Sequence, residues 1–232
     1  MHINTGTEQT SSGHLLIDLA EQDKLHILHP GQIIAYKGSP SGREDRVMDL
    51  AGVYRKRRWI RAAISGPSQL LLGLPGGCRL HTVPIGTDSN LLFNFRNVLF
   101  FSEGITMQSR VQSIKNAMIT KDWVRMKFSG PGHIGVIASG WMESIQLSPD
   151  TPLYVDAGAL IAYPENARLK LSVYGNTLAS QHMKMQWELR GSGPVLIQTG
   201  AVDAQFESQM RQDGLIRRTL REVLPFGGVF IK

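Results

Sequence analysis

The sequence predicts an all-β protein made of three repeated modules of the β-sandwich or double-stranded β-helix type, followed by a short C-terminal helix. Short runs of aliphatic, β-branched and aromatic residues alternate with Gly, Pro, Asn and Asp, a pattern typical of strands joined by turns. Sustained helical periodicity is missing before about residue 204. Three kinds of marker recur at a spacing close to 64 residues, which indicates an internal repeat.

The first two markers are a tryptophan and a Ser-Gly-Pro tripeptide that follows it. The tryptophans are spaced 64 residues apart: Trp59, Trp123 and Trp187. The glycines of the tripeptides are Gly66, Gly130 and Gly193. The third marker is an apolar run that precedes each tryptophan, at 33–36, 98–101 and 160–163. Three ordered markers in three copies argue against chance, and the predicted β-modules span 25–87, 88–150 and 151–204.

Within a module, each tryptophan opens a predicted strand. In the segment 123–128, Val124, Met126 and Phe128 share one face, and Arg125 and Lys127 share the other with the tryptophan. The apolar face is therefore predicted to be core. Proline ends this strand, and a second strand follows in each module, at 70–74, 134–138 and 195–199.

The two ends of the chain differ from the modules. Residues 1–24 are predicted to be a flexible N-terminal segment without a secretory signal. Residues 205–232 are predicted to form a short or broken helix, interrupted at Gly214, and a tail that could add a strand. No apolar run is long enough for a membrane-spanning helix, so a cytoplasmic location is expected. The single Cys78 excludes an intrachain disulfide and a cysteine-based zinc site.

A basic run is the most distinctive local feature. Its cations are Arg55, Lys56, Arg57, Arg58 and Arg61. Removing these five charges from the net charge of +6 leaves +1, so the rest of the chain is nearly neutral. Such a run attracts phosphates of nucleic acid or of anionic lipid, and the neighbouring Trp59 would suit stacking on bases. An acidic partner would be attracted in the same way, and the alternative is a solvated loop or a strand edge whose charges discourage pairing.

Other candidate residues point to packing rather than to chemistry. The repeated tryptophans could form a ligand-binding ring, but a large side chain that fills the same slot in each module explains them equally simply. His26 and His29 are close in sequence, yet positions three apart on a strand face opposite sides, which disfavours a metal site. Neither a phosphate-binding loop nor a nucleophile elbow is present. No catalytic, cofactor-binding or metal-binding residue is predicted.

Three segments resemble the altered-inheritance-of-mitochondria family, also called the mitochondrial biogenesis family. They are Pro-Leu-Tyr-Val-Asp-Ala-Gly-Ala-Leu-Ile-Ala at 152–162, Gly-Ser-Gly-Pro-Val-Leu-Ile-Gln-Thr at 191–199 and Phe-Ser-Gly-Pro-Gly at 128–132. The resemblance implies repeated β-modules like those of the tryptophan RNA-binding attenuation protein (TRAP-like), and a ring-like assembly, often a trimer of three-module chains. It implies no enzymatic activity and no cofactor. Arg96 and the basic loop before Trp59 depart from the family pattern.

The sequence therefore predicts a non-enzymatic β-module protein with a binding or scaffold role. Its expected partners are other copies of the same chain, in a homo-oligomer. Exposed sheet edges in such modules favour closed oligomers. The alternative is binding of nucleic acid or an anionic surface through residues 55–61. An enzyme without a recognisable motif is a third hypothesis.

Overall fold

The computed structural model describes residues 2–6, 13–48, 59–111, 124–174 and 184–200. Within these ranges the chain forms antiparallel strands broken by glycine-containing and proline-containing turns. They are β1 (His2–Gly6), β2 (His14–Leu19), β3 (Lys24–Ile27), β4 (Ile33–Gly38), β5 (Arg43–Met48), β6 (Trp59–Ser65), β7 (Ser68–Gly73), β8 (Cys78–Ile85), β9 (Leu91–Asn94), β10 (Val98–Ser102), β11 (Thr106–Val111), β12 (Val124–Ser129), β13 (Gly132–Ser139), β14 (Met142–Leu147), β15 (Leu153–Asp156), β16 (Leu160–Pro164), β17 (Arg168–Tyr174), β18 (Lys184–Arg190) and β19 (Gly193–Gln198). Short 3₁₀ turns lie at Pro30–Gln32, Pro40–Gly42 and Phe95–Asn97.

The strands form two complete sheets and two smaller ones. The complete sheets are six-stranded, in the orders β5-β6-β3-β10-β13-β8 and β11-β12-β9-β16-β19-β14. The smaller sheets have the orders β1-β2-β7-β4 and β15-β18-β17. Among the described residues, no helix is long and apolar enough to cross a membrane.

The sheet topology repeats with a period of six strands. Adding six to each strand number of the first six-stranded sheet gives the order of the second. Each of these sheets has a hairpin half (β5-β6-β3 or β11-β12-β9) and a companion half (β10-β13-β8 or β16-β19-β14). By the same counting, and within the described ranges, β17-β18-β15 is a hairpin half without a companion half, and β4-β7-β2 is a companion half without a hairpin half. The module boundaries at 87 and 150 stay a prediction.

The core lies between the sheets and is largely aliphatic and aromatic. The larger apolar cluster is centred on Phe93, Phe101 and Phe128, whose rings meet at centroid distances of 5.7 to 5.8 Å. The smaller cluster surrounds Trp187 and Leu189 on β18. Close packing of such rings removes much apolar area from water and thereby stabilises the contact between the strands.

The predicted all-β class is confirmed, and the predicted second strands correspond to β7, β13 and β19. Within residues 1–24, for which a flexible segment is predicted, the structure has the strands β1 and β2. Leu15, Ile17 and Leu19 alternate along β2 and are buried, so β2 contributes apolar side chains to the core. The polar residues around it in the sequence make this alternation hard to recognise as a strand. The predicted C-terminal helix over 205–232 lies outside the described residues.

One repeat marker occupies an unexpected position. Trp187 faces Val155 across the β15–β18 pair. The corresponding positions in the complete sheets lie four residues before a turn glycine. They hold smaller or unbranched side chains, Ala62 before Gly66 and Met126 before Gly130. Trp187 itself lies four residues before Gly191, so it fills the position of Ala62 and Met126 and not the position of Trp59.

We expect Trp187→Ala to lower the free energy of unfolding by about 3–5 kcal/mol, because it removes a fully buried aromatic side chain and leaves a cavity. Urea denaturation followed by circular dichroism measures this change. Trp141→Ala is the matched control, since Trp141 is exposed. Equal losses in the two variants would contradict the core role of Trp187.

Candidate assembly site at two open strand edges

Two closed junctions join the halves of the complete sheets. In the first junction β3 pairs with β10, with Ile27 opposite Phe100 and His26 opposite Phe101. In the second junction β9 pairs with β16, with Phe93 opposite Ala162. In both, a strand from earlier in the chain pairs with a strand that lies seven elements further along in the strand numbering, so neither of the two paired edges faces solvent.

A bulge occurs at the same place in each companion half. The register against the neighbouring strand shifts between Val98 and Phe100 in β10, and between Leu160 and Ala162 in β16. The residues at these bulges are Leu99, which is 0% exposed, and Ile161, which is 1% exposed. The first junction covers Leu99, whose carbonyl oxygen also accepts a hydrogen bond from Leu28 N at 2.8 Å.

The corresponding strand β4 has the same bulge but no partner strand on its outer edge among the described residues. Its register against β7 shifts between Ile33 and Ala35. The bulge residue Ile34 is 63% exposed, and Ala35 is exposed as well. Because Leu99 and Ile161 are buried at the same position, the exposure of Ile34 results from the missing hairpin half.

Strand β15 presents the complementary open edge. It pairs with β18 on one side, and within the described residues no strand pairs with it on the other. Tyr154 is 53% exposed, although the residues at its position in the closed junctions, His26 and Leu92, are buried. The described part of the chain therefore has one open edge of each kind.

The first junction carries a buried histidine beside charged groups. His26 Nε2 lies 3.1 Å from Glu103 Oε2, and Lys24 Nζ lies 3.6 Å from the other oxygen of Glu103. The guanidinium of Arg61 lies 5.8 Å from the centroid of the Phe101 ring. Burial lowers the pKa of His26 below its ordinary value of 6.5, the Arg61 cation lowers it further, and the Glu103 carboxylate opposes both effects.

The second junction has a similar arrangement with different residues. Arg125 is buried, with its guanidinium 5.4 Å from the centroid of the Tyr163 ring. Glu165 accepts hydrogen bonds from Lys127 Nζ at 2.6 Å and from Arg110 Nε at 3.0 Å, and these two cations lower the pKa of its carboxyl group. The alternation of 123–128 sets Arg125 on the face opposite the predicted core, and Arg125 is nevertheless buried, because the neighbouring half covers this face at the junction.

The predicted nucleic-acid or anionic-surface site is described only in part. Arg55, Lys56, Arg57 and Arg58 lie outside the described residues. Trp59 is half-buried and meets the Phe95 ring edge-on at 4.6 Å, and Arg61 is half-buried over Phe101. These two side chains pack against the protein, so they do not form an exposed stacking surface for bases. The hypothesis for the other four cations stays a prediction.

The marker glycines serve the turns. A Cβ atom on Gly66 would overlap the carbonyl oxygen of Ala20, and one on Gly130, where φ is +117°, would overlap the carbonyl oxygen of Gly104. Gly193 has φ +111° but begins β19, and the turn before it contains Gly191. Trp123 lies outside the described residues. The third Ser-Gly-Pro is thus displaced by two residues from the position of the first two.

Sequence reasoning anticipated exposed edges but did not locate them. The order of strands within a sheet is a non-local property, and β4 and β10 have similar apolar sequences. One signal was available in retrospect. The residue after the aromatic marker is polar or charged in both β4 and β10, so it does not separate the open strand from the covered one. An acidic residue does: Glu103 follows the covered strand β10 and Glu165 follows the covered strand β16, whereas none directly follows β4.

The described strands define a class: an all-β protein of antiparallel sheets in which one strand order occurs twice. The chain belongs to the Mitochondrial biogenesis AIM24 family, which it matches over residues 8–200. This confirms the resemblance seen in the sequence. No curated protein matches the chain.

A solved structure supports the fold independently. The chain is similar to the X-ray crystal structure of protein SPYM3_0169 from Streptococcus pyogenes, with a TM-score of 0.63 and 15% sequence identity. The similarity covers 91% of this chain and 99% of that chain. At this identity, the likeness shows a shared fold and carries no information about function.

The lowered pKa of His26 predicts a pH-dependent stability. The unfolded chain binds a proton on this histidine more readily than the folded chain, so stability is full above the ordinary pKa of 6.5 and falls as the pH decreases below it. We expect the free energy of unfolding to fall less between about pH 7.5 and about pH 5.5 in His26→Gln than in the wild type. Urea titrations across this range measure the slope.

The matched control is His133→Gln, which changes an exposed histidine on β13. Lys24, Arg61 and Glu103 face His26, and all three are retained in both variants. An unchanged slope in His26→Gln would contradict the prediction.

Proposed function

We propose that this chain is a non-enzymatic scaffold or binding protein that assembles head to tail, with β15 of one copy pairing with β4 of the next. One observation carries the proposal: Ile34 is 63% exposed at a bulge where Leu99 and Ile161 are buried by a paired strand. A second copy supplies that strand. The pairing would join β17-β18-β15 to β4-β7-β2 and give a third sheet with the order of the two complete ones.

The closed junctions specify the register of this contact. Ile27 faces Phe100 and Phe93 faces Ala162, each two residues after the start of its partner strand. The same rule places Val155 opposite Ala35 of the next copy. Continuing along the antiparallel pair, Tyr154 faces Tyr36 and Leu153 faces Lys37. Ile34 then lies under the added strand, which removes its side chain from water.

The contact favours a second copy because each chain offers one edge of each kind. The described residues do not pair β4 with β15 of the same chain. A contact between two different surfaces of identical chains is heterologous, and it gives a closed ring when the rotation between copies closes. The family resemblance implies a trimer, and we adopt this number for the proposal.

Other edges are less suited to this contact. The outer edge strand β5 carries four consecutive charged residues, Arg43 to Arg46, which discourage the approach of another strand. Strand β4 carries only Lys37. The difference in charge makes β4 the more favourable edge for pairing. No reaction, cofactor or membrane anchor is part of the proposal, and a cytoplasmic location is retained from the sequence prediction.

We expect the wild-type chain to have a mass in solution that is a multiple of 25.7 kDa, and Ile34→Asp to have a smaller one. A carboxylate at the bulge would have to be buried without a partner when β15 approaches, which disfavours the contact. Light scattering coupled to size exclusion measures both masses. Val47→Asp is the matched control, because Val47 is also exposed on an edge strand but lies outside the proposed contact. A monomeric wild type would overturn the proposal.

A cysteine pair tests the direction of the contact. In a Cys78→Ser background, Lys37→Cys and Leu153→Cys are prepared as separate proteins and mixed under oxidising conditions. Facing residues on antiparallel strands are close enough for a disulfide after small adjustments. Cross-linked dimers are expected only in the mixture, since neither position faces itself. Dimers of either variant alone in equal amount would argue against a head-to-tail contact.

A further inference from the structure

Three strands occupy the same position at the end of the companion halves, yet their outer edges differ. They are β2, β8 and β14. The edge of β2 is covered by β1, which pairs antiparallel with it from His2 opposite Asp18 to Gly6 opposite His14. The edge of β8 contains Pro84, which lacks the amide hydrogen that a new strand would need. Strand β14 has neither form of protection within the described residues.

Strand β14 is regular and only weakly charged. It pairs with β19 at six consecutive positions without a register shift, from Met142 opposite Gln198 to Leu147 opposite Gly193. Its sequence has no proline and one charged residue, Glu143. A straight edge with these properties presents unpaired amide and carbonyl groups that can pair with another strand.

The edge also exposes apolar surface. Ile145 is 39% exposed, and Trp141, just before the strand, is 59% exposed. The guanidinium of Arg79 lies 4.2 Å from the centroid of the Trp141 ring and covers one of its faces. Ile145 on the strand and Trp141 just before it are thus two exposed apolar side chains along this edge, and an added strand would remove apolar surface of Ile145 from water.

We infer that β14 pairs with β14 of a second copy, antiparallel and around a two-fold axis. The pairing of β1 with β2 shows that this position in the fold accepts an additional antiparallel strand. We take a second copy as the occupant, because two β14 strands can pair antiparallel without placing the single carboxylate of one, Glu143, opposite that of the other.

Symmetry restricts the register. Residues that face each other in an antiparallel pair point to the same side of the sheet, so a two-fold axis must pass beside a residue that faces its own copy. Centring the pair on Ile145 places the two exposed isoleucines together, Glu143 opposite Leu147 and Ser144 opposite Gln146. No like charges then face each other. Centring on Ser144 would place Ile145 opposite Glu143, a poorer match.

This contact is separate from the head-to-tail contact of the proposed function, which uses β4 and β15. If both form, two head-to-tail assemblies join through their β14 strands, and the mass is twice that of one assembly. If only the β14 contact forms, the protein is a dimer. The two contacts can therefore be tested independently in the full-length chain.

The first test measures mass by light scattering coupled to size exclusion. Relative to the wild type, Ile145→Lys is expected to halve the mass, because two ammonium groups would meet at the centre of the contact. Val47→Lys, at another exposed position on an edge strand, should leave it unchanged. Ile34→Asp should give a dimer, and the variant with both Ile34→Asp and Ile145→Lys a monomer of 25.7 kDa.

These masses separate the two proposals. A monomeric Ile34→Asp variant would overturn the β14 contact and leave the head-to-tail contact standing. A dimeric wild type that Ile145→Lys converts to a monomer would support the β14 contact and overturn the head-to-tail contact. If Ile145→Lys has the mass of the wild type, the β14 contact is wrong, as it would be if another segment of the same chain covered this edge.

The second test identifies the register. In a Cys78→Ser background, Ile145→Cys should form a disulfide-linked dimer on oxidation, because this residue faces its own copy. Ser144→Cys is the matched control on the same strand, where the opposite residue is Gln146 and the side chain points to the other face of the sheet. Equal cross-linking of both variants would contradict the register centred on Ile145.

Discussion

The structure depends on one constraint: the first strand of each hairpin half must find a partner for its outer edge. Backbone amide and carbonyl groups on a strand require hydrogen bonds, and a strand at the end of a half-sheet has half of them unpaired. Pairing β3 with β10 and β9 with β16 meets this requirement twice within the chain. At β15 the described chain offers no further strand, so the outer edge of this strand stays open.

The side chains at the closed junctions follow from this backbone pairing. Each junction covers a cation with an aromatic ring from the next half, Arg61 with Phe101 and Arg125 with Tyr163. In each, a glutamate that follows the covered strand neutralises nearby cations. The open edge has Tyr36 at the aromatic position, whose hydroxyl group donates a hydrogen bond to Ser39 O at 2.7 Å, but Gly38 and Ser39 follow in place of an acidic residue. An intermolecular junction of this kind would depend more on apolar contact than on ion pairs.

The sequence predicted the strands and turns better than their arrangement, since local chemistry determines the former. Gly66 and Gly130 marked real turns, because a side chain there would collide with a neighbouring carbonyl group. Trp187 does not occupy the strand position of Trp59, although the spacing in the sequence suggests that it does. A tryptophan can fill a core position as well as a strand end, and spacing alone does not distinguish the two. Burial of Arg125 and the open edge at Ile34 depend on which strand lies next in the sheet, and alternation within one strand carries no information about that neighbour.

Strand β2 completes the companion half whose open edge is β4. It pairs with β7 in the position that β8 and β14 occupy beside β13 and β19. In those sheets the corresponding strand precedes the companion half along the chain, as β2 precedes β4 and β7. In the proposed head-to-tail contact, the neighbour brings only its hairpin half to β4, because β2 already completes the companion half that receives it.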